Sequence, residues 1–249
     1  MTEKIINPKK VRDLIKITDS LSESIAQISV DCVIFGFHDN ELKILLSKFP
    51  ELDLWALQGG FVGQTEDVDM AARRVLEERT GVKDIFLQQF HVFGKANRPT
   101  AEFLKLGFVD THLNFDDFPF LKQRIISIGY YSLVDFFKVI PKANLFYDYC
   151  QWYDILNLPP LAFDHAEIIE KALTALRKSL DYELIGFNLM YDSFTMNELQ
   201  KLYETILGET LSRNNFQRKI LEMDILERLE KKFTGGAHKA PYLYRFKSR

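Results

Sequence analysis

The chain has 249 residues and a formal net charge of -3 at pH 7, and 47% of its residues are hydrophobic. This length suits two domains better than a single core, and the apolar content excludes a globally disordered chain. No apolar run is long enough to span a bilayer, and the start lacks the apolar core of a signal peptide, so we expect a cytoplasmic protein. Cys32 and Cys150 have neither CxxC spacing nor a histidine cluster, which favours reduced thiols over a disulfide or a zinc site.

Hydrophobic spacing predicts the first elements of the chain. Residues 1–27 have apolar side chains at roughly helical spacing, which predicts an amphipathic helical extension. Residues 28–37, rich in Val and Ile, and residues 41–49 are predicted as strands joined by a turn at Asp39 and Asn40. The main fold is therefore expected to begin with a β-hairpin.

A helix is predicted next, from about Thr65 to Arg79, and Gly81 stands where glycine commonly ends a helix. Further strands are predicted at residues 85–93, 124–133 and 147–153. The connection over residues 94–124 far exceeds the usual loop length of roughly 4 to 6 residues. Such a length is typical of a lid or of a surface decoration.

Residues 156–163 are the predicted linker, because Pro159 and Pro160 interrupt regular structure and stiffen a connection. Beyond it, Asp164 is predicted to cap a helix that ends near Leu180. The predicted domains are an N-terminal extension of residues 1–27, a first domain of residues 28–155, the linker, and a second domain of residues 164–249.

Two more helices and a hairpin are predicted in the second domain. Thr195 and Glu198 have the spacing of a capping box at the start of the first of these helices. Ser212 is predicted to cap a further helix that ends near Lys232, and residues 233–246 have two strand-like ends around glycine and proline. Three helices followed by a wing is the order of a winged helix-turn-helix.

The charge is distributed unevenly along this second domain. Residues 212–249 contain 10 Lys or Arg against 4 Asp or Glu, which gives +6, whereas residues 164–211 contain 4 against 9, which gives -5. A basic terminus on an acidic protein is typical of a protein that binds a polyanion, and it is also typical of a solvated charged surface.

A motif in the first domain resembles the Nudix box. Seven residues stand at the expected positions: Gly60, Glu66, Arg74, Leu76, Glu78, Gly81 and Val82. The resemblance implies an α/β/α sandwich with a mixed sheet over roughly residues 28–155. In Nudix hydrolases, glutamates of this box hold magnesium that activates water on a diphosphate.

The metal-ligand positions of the box are altered in this chain. By the resemblance they are Val75, Glu78 and Arg79, so two of three carboxylates are missing. Glu77 lies on nearly the opposite side of the helix and cannot replace them. We therefore expect no metal, no cofactor and no catalysis, with Glu66 retained as a structural partner of the box arginine.

A vacated Nudix pocket could instead bind an effector. Trp55, Gln58, Phe93 and Arg124 are the residues predicted to meet a sugar or nucleotide sugar, through an aromatic face, an amide and a cation. Tryptophan at a position like Trp55 is more often a core residue than a ligand contact, and Phe93 and Arg124 could serve packing alone.

The second domain looks like the winged helix of the Nudix-related transcriptional regulators. The resemblance rests on Phe163 to His165, Ile185 to Leu189, Phe194-Thr195, Glu198 to Gln200, Asn215-Phe216, Arg218-Lys219 and Tyr244 to Phe246. That family includes repressors of NAD synthesis genes and regulators of arabinose use, and it implies a homodimer on a palindromic DNA operator. The Nudix-like part is nearer to the arabinose-type branch, which favours a pentose effector; ADP-ribose is the other effector class.

The predicted DNA-binding residues belong to the third helix and the wing. They are Arg213, Asn214, Asn215, Gln217, Arg218, Lys219, Lys232, His238 and Lys239. Arginine can pair with guanine, and asparagine or glutamine with adenine, while lysines near the wing suit phosphates. Phe216, Ile220 and Met223 are predicted to pack inward, and His165 to start a helix.

Two other functions fit parts of the same pattern. A Nudix hydrolase with an accessory domain would need to recruit metal through Glu66, Glu78 and acids outside the box. An interaction module without a regulatory role would make the basic wing incidental.

Overall fold

The structure is a computed structural model, and it describes residues 23–49, 53–83, 85–98, 105, 115–117, 119–142, 149–180, 189–232 and 240–247. Within these residues, no helix is long and apolar enough to cross a membrane. The predicted helical extension lies almost wholly outside them. Its last residues, Ser24 to Gln27, belong to a strand, so that part of the prediction was wrong.

Seven of the described strands form one mixed sheet. These are β1 (Ser24–His38), β2 (Glu41–Lys48), β3 (Trp55–Ala56), β4 (Gln58–Gly63), β5 (Phe86–Phe93), β6 (Ile126–Val134) and β7 (Cys150–Asp154). The long β1 pairs in parallel with β6, while its first half pairs antiparallel with β4 and its end with β2. Strand β1 is therefore central, and the strand predictions for this half are confirmed to within a few residues.

The turn between β1 and β2 has the geometry that its sequence predicts. Asp39 and Asn40 both have positive φ, 51° and 62°, a region that these two residue types tolerate. Their short polar side chains let the two strands join through two residues, with His38 opposite Glu41. This turn fixes the register, so that Val33 and Phe35 face one side of the sheet and Ile34 the other.

One face of the sheet is covered by helix α1 (Val68–Thr80). Ala72, Val75 and Leu76 of α1 pack against Val30 and other residues of the sheet. The helix begins three residues later than predicted. It ends as predicted at Gly81, which has φ +71° and whose N–H donates to the carbonyl of Glu77.

Helix α2 (His165–Ser179) covers the opposite face. Its buried residues Ile168, Ala172 and Leu176 belong to the same apolar core as Val33 and Phe35 of β1. The first domain is thus an α/β/α sandwich with a mixed sheet, as expected. The helix assigned from sequence to the second domain packs on the sheet of the first.

The predicted linker therefore runs between two parts of the sandwich. Pro160 accepts a hydrogen bond at its carbonyl from the N–H of Trp55, 3.0 Å away, and Leu161 forms a β-bridge with Trp55. Because proline lacks only the N–H, its carbonyl remains available to an edge strand. The proline pair interrupts regular structure here without separating two bodies.

The remaining elements form a small helical unit with its own sheet. They are α3 (Met196–Leu207), α4 (Arg213–Glu222), β8 (Phe194–Thr195), β9 (Leu226–Lys231) and β10 (Tyr242–Phe246), with sheet order β8-β10-β9. The predicted capping box is present: Thr195 Oγ1 accepts from the N–H of Glu198, whose carboxylate accepts from the N–H of Thr195. This arrangement is the winged helix-turn-helix expected from the sequence.

The end of helix α4 differs from the prediction. The helix stops at Glu222 instead of continuing to Lys232, and Asp224 follows with φ +51°. Residues 226–231 are good helix formers, but pairing with β10 places them in a strand, as tertiary context can override propensity. The wing therefore begins at Leu226, about seven residues before its predicted start at 233.

Candidate functional site

The loop that precedes α1 is held by an ion pair of the Nudix box. Arg74 donates to both carboxylate oxygens of Glu66, at 3.0 Å from Nε and 2.7 Å from a terminal nitrogen, and also to the carbonyl of Phe61. Glu66 in turn accepts from the N–H of Gly63 at 2.8 Å. The hydrogen bonds from Arg74 are the largest cause that lowers the pKa of Glu66. These contacts give Glu66 the structural role expected of it.

The three positions that the resemblance assigns to metal ligands have an alkyl, a carboxylate and a guanidinium side chain. Val75 is buried, and its Cγ2 lies 2.9 Å from where a Cβ on Gly60 would stand, so glycine is needed there for packing. Arg79 is 7% exposed and supplies a positive charge where a cation would need a carboxylate. Glu78 lies 3.7 Å from a terminal nitrogen of Arg74. The described residues contain no group of three potential metal ligands.

Two of the four predicted effector residues lie in one apolar cluster on the α2 side of the sheet. Trp55 is 3% exposed and meets the rings of Tyr153 and Tyr149 edge-on at 4.7 and 5.4 Å. Phe93 is 4% exposed and packs against Phe90, and its ring fills the space beside Gly129 that a larger residue's Cβ would occupy. Both side chains are thus core residues in this arrangement.

The other two predicted effector residues lie elsewhere. Gln58 is fully buried and lies opposite Cys32 of the neighbouring strand, on the α1 side of the sheet. Its side-chain amide accepts a hydrogen bond from Ser47 Oγ at 2.8 Å and donates one to the carbonyl of Leu45. Arg124 is exposed just before β6. Trp55 in β3 and Phe93 in β5 lie at opposite ends of the strand order β3-β2-β1-β6-β5, and Gln58 faces the α1 side, so the structure does not bring these residues together. The role of all four in binding stays a prediction.

Sequence reasoning missed a buried polar network on the α2 side. Its centre is Asp31, 8% exposed in the middle of β1. One oxygen of Asp31 accepts from Arg98 at 3.0 Å and from Ser127 Oγ at 2.6 Å. The signal in the sequence was an aspartate within an otherwise apolar strand, since a buried carboxylate requires partners.

Arg98 joins this network to the start of α2. Its guanidinium donates two hydrogen bonds to Asp164, at 2.7 and 2.8 Å, as well as one to Asp31 and one to the carbonyl of Ile125. Asp164 precedes α2 as predicted, but its side chain accepts no hydrogen bond from the helix N–H groups. The carboxylate instead accepts the hydrogen bonds from Arg98, a residue of the long connection that follows β5.

His165 completes the network from the first residue of α2. Its Nδ1 accepts a hydrogen bond from the N–H of Leu57 at 2.9 Å, so Nε2 has the ring proton and faces Asp31 at 3.7 Å. Burial alone would raise the pKa of Asp31, but His165, Arg98 and Ser127 together outweigh burial and hold that pKa well below its usual range. Asp31 is thus charged and fully partnered.

Most of the predicted DNA-binding residues of α4 are exposed. Phe216 and Ile220 are buried beneath the helix, with the Phe216 ring 5.2 Å from that of Tyr203. The exposed residues of α4 include Arg213, Asn214, Asn215, Arg218 and Lys219; Gln217 is half-buried. Met223 was predicted to pack inward but is 39% exposed, because the helix ends one residue earlier.

The turn between α3 and α4 is held by two polar side chains of α3. Gln200 donates to the carbonyl of Leu211 at 2.9 Å, and Glu204 accepts from the N–H of Leu211 at 2.9 Å. Gly208 ends α3 with φ +77°. These contacts hold the turn between the two helices of the helix-turn-helix and so orient α4 relative to α3.

The wing offers further cations. Lys232 lies 3.1 Å from Glu198 of the capping box, so it contacts the protein as well as solvent. The guanidinium of Arg228 and the amine of Lys231 stand over the Tyr242 ring at 4.6 and 5.3 Å. His238 and Lys239 of the prediction lie outside the described residues.

A family model described as the NrtR DNA-binding winged helix domain matches residues 186–246. An "ADPR responsive transcriptional repressor NtrR" from Acinetobacter baylyi is 30% identical over 227 residues, which cover 88% of this chain and 81% of that protein.

Two of the similar solved structures cover most of the chain. NrtR of Shewanella oneidensis, crystallised with a 27mer DNA, is 27% identical with a TM-score of 0.69, covering 89% of this chain and 94% of that one. A MutT/nudix family protein from Enterococcus faecalis is 19% identical with a TM-score of 0.66, covering 98% and 100%, and shows the same fold.

Proposed function

The chain belongs to the NrtR family of Nudix-related transcriptional regulators, and we propose that it is a repressor that binds an operator through α4 and the wing. The observation that carries this proposal is the exposed polar face of α4 on a helix-turn-helix whose turn is fixed by Gln200 and Glu204. Arg213, Asn214 and Arg218 would face the major groove, where their side chains can hydrogen-bond to base edges. As a DNA-binding protein, it would act in the cytoplasm.

We propose ADP-ribose as the effector that the Nudix domain senses. The support is the 30% identical repressor, which is named for its response to ADPR and which the chain matches over most of its length. A pentose effector rests only on the sequence resemblance to the arabinose-type branch, and no described contact favours it. Trp55, Gln58, Phe93 and Arg124 remain the proposed effector residues, although the burial of the first three requires some rearrangement for direct contact.

We also propose that the Nudix domain does not hydrolyse its ligand. Val75 and Arg79 replace two carboxylates that would hold magnesium, and Arg74 already pairs with Glu66 and lies near Glu78. A positive charge at a distance of about 4 Å opposes a cation by on the order of 4 kcal/mol per unit charge at an effective dielectric near 20. The hydrolase alternative lacks a donor set among the described residues.

We propose that the boundary between the effector-sensing domain and the DNA-binding domain lies after α2 and not at residues 156–163. Helix α2 packs on the sheet through Ile168 and Leu176, and the family model begins only at residue 186. Near its end, Arg177 donates to the carbonyl of Ile206 at 2.7 Å, so α2 contacts both units. A homodimer on a palindromic operator is the proposed assembly, with each copy contributing one α4.

Selection of DNA from a pool of random duplexes by the full-length protein tests the proposed function. We expect enrichment of one palindromic sequence, which the protein then binds in preference to a scrambled duplex at the same salt concentration. Recovery of unenriched DNA, or equal affinity for the selected and scrambled duplexes, would contradict sequence-specific binding.

A further inference from the structure

A cavity of about 310 Å³ lies beside α4, and two of its lining residues, Asn215 and Lys219, also belong to the predicted DNA-binding set. Its walls come from the end of α2, from α3, from the turn that follows it, and from α4. The lining residues are Arg177, Leu180, Tyr203, Leu207, Leu211, Ser212, Asn215, Phe216, Lys219, Ile220 and Met223. The volume is at the lower end of the range of small-molecule sites, roughly 300 to 1,000 Å³.

The chemistry of the lining restricts what could bind. Most of the wall is aliphatic or aromatic, including Tyr203 and Phe216, whose rings are already in edge contact. The charged side chains among the described lining residues are Arg177 and Lys219, and both are cations. Asn215 and Ser212 add an amide and a hydroxyl. An occupant with an apolar body and one anionic end would match both the wall and its cations.

Arg177 and Lys219 belong to different helices, so it is the fold that brings both cations to one cavity. Arg177, near the end of α2, is fixed by donating from Nε to the carbonyl of Ile206 at 2.7 Å. Lys219 lies on α4 one helical turn after Asn215, so both point to the same side of the helix. Both cations therefore line one cavity, Arg177 from α2 and Lys219 from α4.

We propose that this cavity is a second ligand site, separate from the Nudix domain pocket, for a small aromatic or aliphatic monoanion. The site shares its wall with α4, because Phe216 and Ile220 face the cavity while Arg218 faces outward. A molecule bound there would contact Phe216 and Ile220 of the helix that is proposed to read DNA. The site belongs to the winged-helix unit and requires no residue of the Nudix box.

Calorimetric titration of the full-length protein with 2-naphthoate tests the site, with 2-naphthamide as the neutral analogue of similar shape. We expect saturable binding of one naphthoate per chain and roughly tenfold weaker binding of the amide, since two partly exposed cations contribute modestly each. Met223→Trp, at the partly exposed edge of the cavity, should abolish binding by filling it. Lys219→Gln should weaken naphthoate binding severalfold, whereas Lys83→Gln, on an exposed lysine outside the cavity, should leave it unchanged.

The proposal is overturned by absence of saturable naphthoate binding, by equal affinity for the amide, or by undiminished binding in Lys219→Gln. Should Met223→Trp melt at a lower temperature than the natural protein, Lys219→Gln and the amide decide the result between them. The titration uses neither DNA nor ADP-ribose. Its outcome is therefore independent of whether the proposed repressor function holds.

Discussion

Replacing Arg98 by methionine is expected to destabilise the sandwich strongly, because it leaves two carboxylates without their main partner. The Arg98 side chain is only 3% exposed, and it donates four hydrogen bonds, two to Asp164, one to Asp31 and one to the carbonyl of Ile125. Methionine keeps an unbranched apolar side chain but removes every donor. Asp31 would then remain buried and charged, with Ser127 and His165 as its remaining contacts.

The expected magnitude follows from burial. Removing one partner of a buried ion pair costs about 3 to 5 kcal/mol, and we expect about 3 kcal/mol here because Asp164, with 14% of its side chain exposed, can regain water. Arg74→Met is the matched control: that arginine also binds a carboxylate through two nitrogens, but 39% of its side chain is exposed. Solvent screens such a pair, so we expect a loss of about 1 kcal/mol.

Urea unfolding at pH 7 measures both variants, followed by tryptophan fluorescence. The two tryptophans, Trp55 and Trp152, lie in β3 and β7, so the signal reports on the sheet that contains the network. In the double variant Arg98→Met with Asp31→Asn, part of the lost stability should return because the buried charge of Asp31 is removed together with its partner. Equal losses for Arg98→Met and Arg74→Met would refute the argument that the network is a buried, fully partnered unit.

Three further predictions concern the same chain. The pKa of Asp31 in the folded protein lies below its usual value, so its ion pairs stabilise the protein above about pH 4, and this stabilisation is lost as the pH falls further. The unfolding free energy should therefore decline less steeply between pH 7 and pH 3 in Asp31→Asn than in the natural protein. Identical declines in the two proteins would contradict the stabilising role of the Asp31 charge. Arg218→Ala should weaken binding of the selected duplex by about 1 to 3 kcal/mol and reduce the specificity at one base position, and Lys232→Ala should weaken binding of all sequences alike. Arg73→Ala on α1 is the control and should leave both the affinity and the specificity unchanged. Fluorescence anisotropy measures these affinities, and unchanged binding in the first two variants would contradict the proposed DNA-binding surface. Incubation with ADP-ribose and Mg²⁺ should give no turnover in the usual enzymatic range of roughly 1 to 1,000 per second, and turnover that Glu78→Gln abolishes would establish a hydrolase.

Local signals in the sequence predicted those elements whose determinants lie within a few residues. The Asp39-Asn40 turn, the capping box at Thr195 and the end of α1 at Gly81 all depend on backbone conformations that particular residue types prefer. The Nudix box was equally local, since one loop and one helix contain it. Its altered positions could be assigned to buried or exposed sites only with the structure.

The features that sequence reasoning missed depend on residues far apart in the chain. Arg98 meets Asp31 and Asp164 across separations of 67 and 66 residues, and neither pairing has a local signal. Residues 226–231 have helical propensity, and only their partner strand β10 makes them a strand. Helix α2 is amphipathic wherever it packs, so its sequence cannot say which unit receives its apolar face.

The most direct test of the account is the affinity for the selected duplex, measured by fluorescence anisotropy with and without saturating ADP-ribose. We predict that ADP-ribose changes the affinity for DNA, that DNA changes the affinity for ADP-ribose by the same factor, and that arabinose changes neither. An affinity for the duplex that is identical with and without saturating ADP-ribose would contradict the proposal that this chain is an ADP-ribose-sensing regulator.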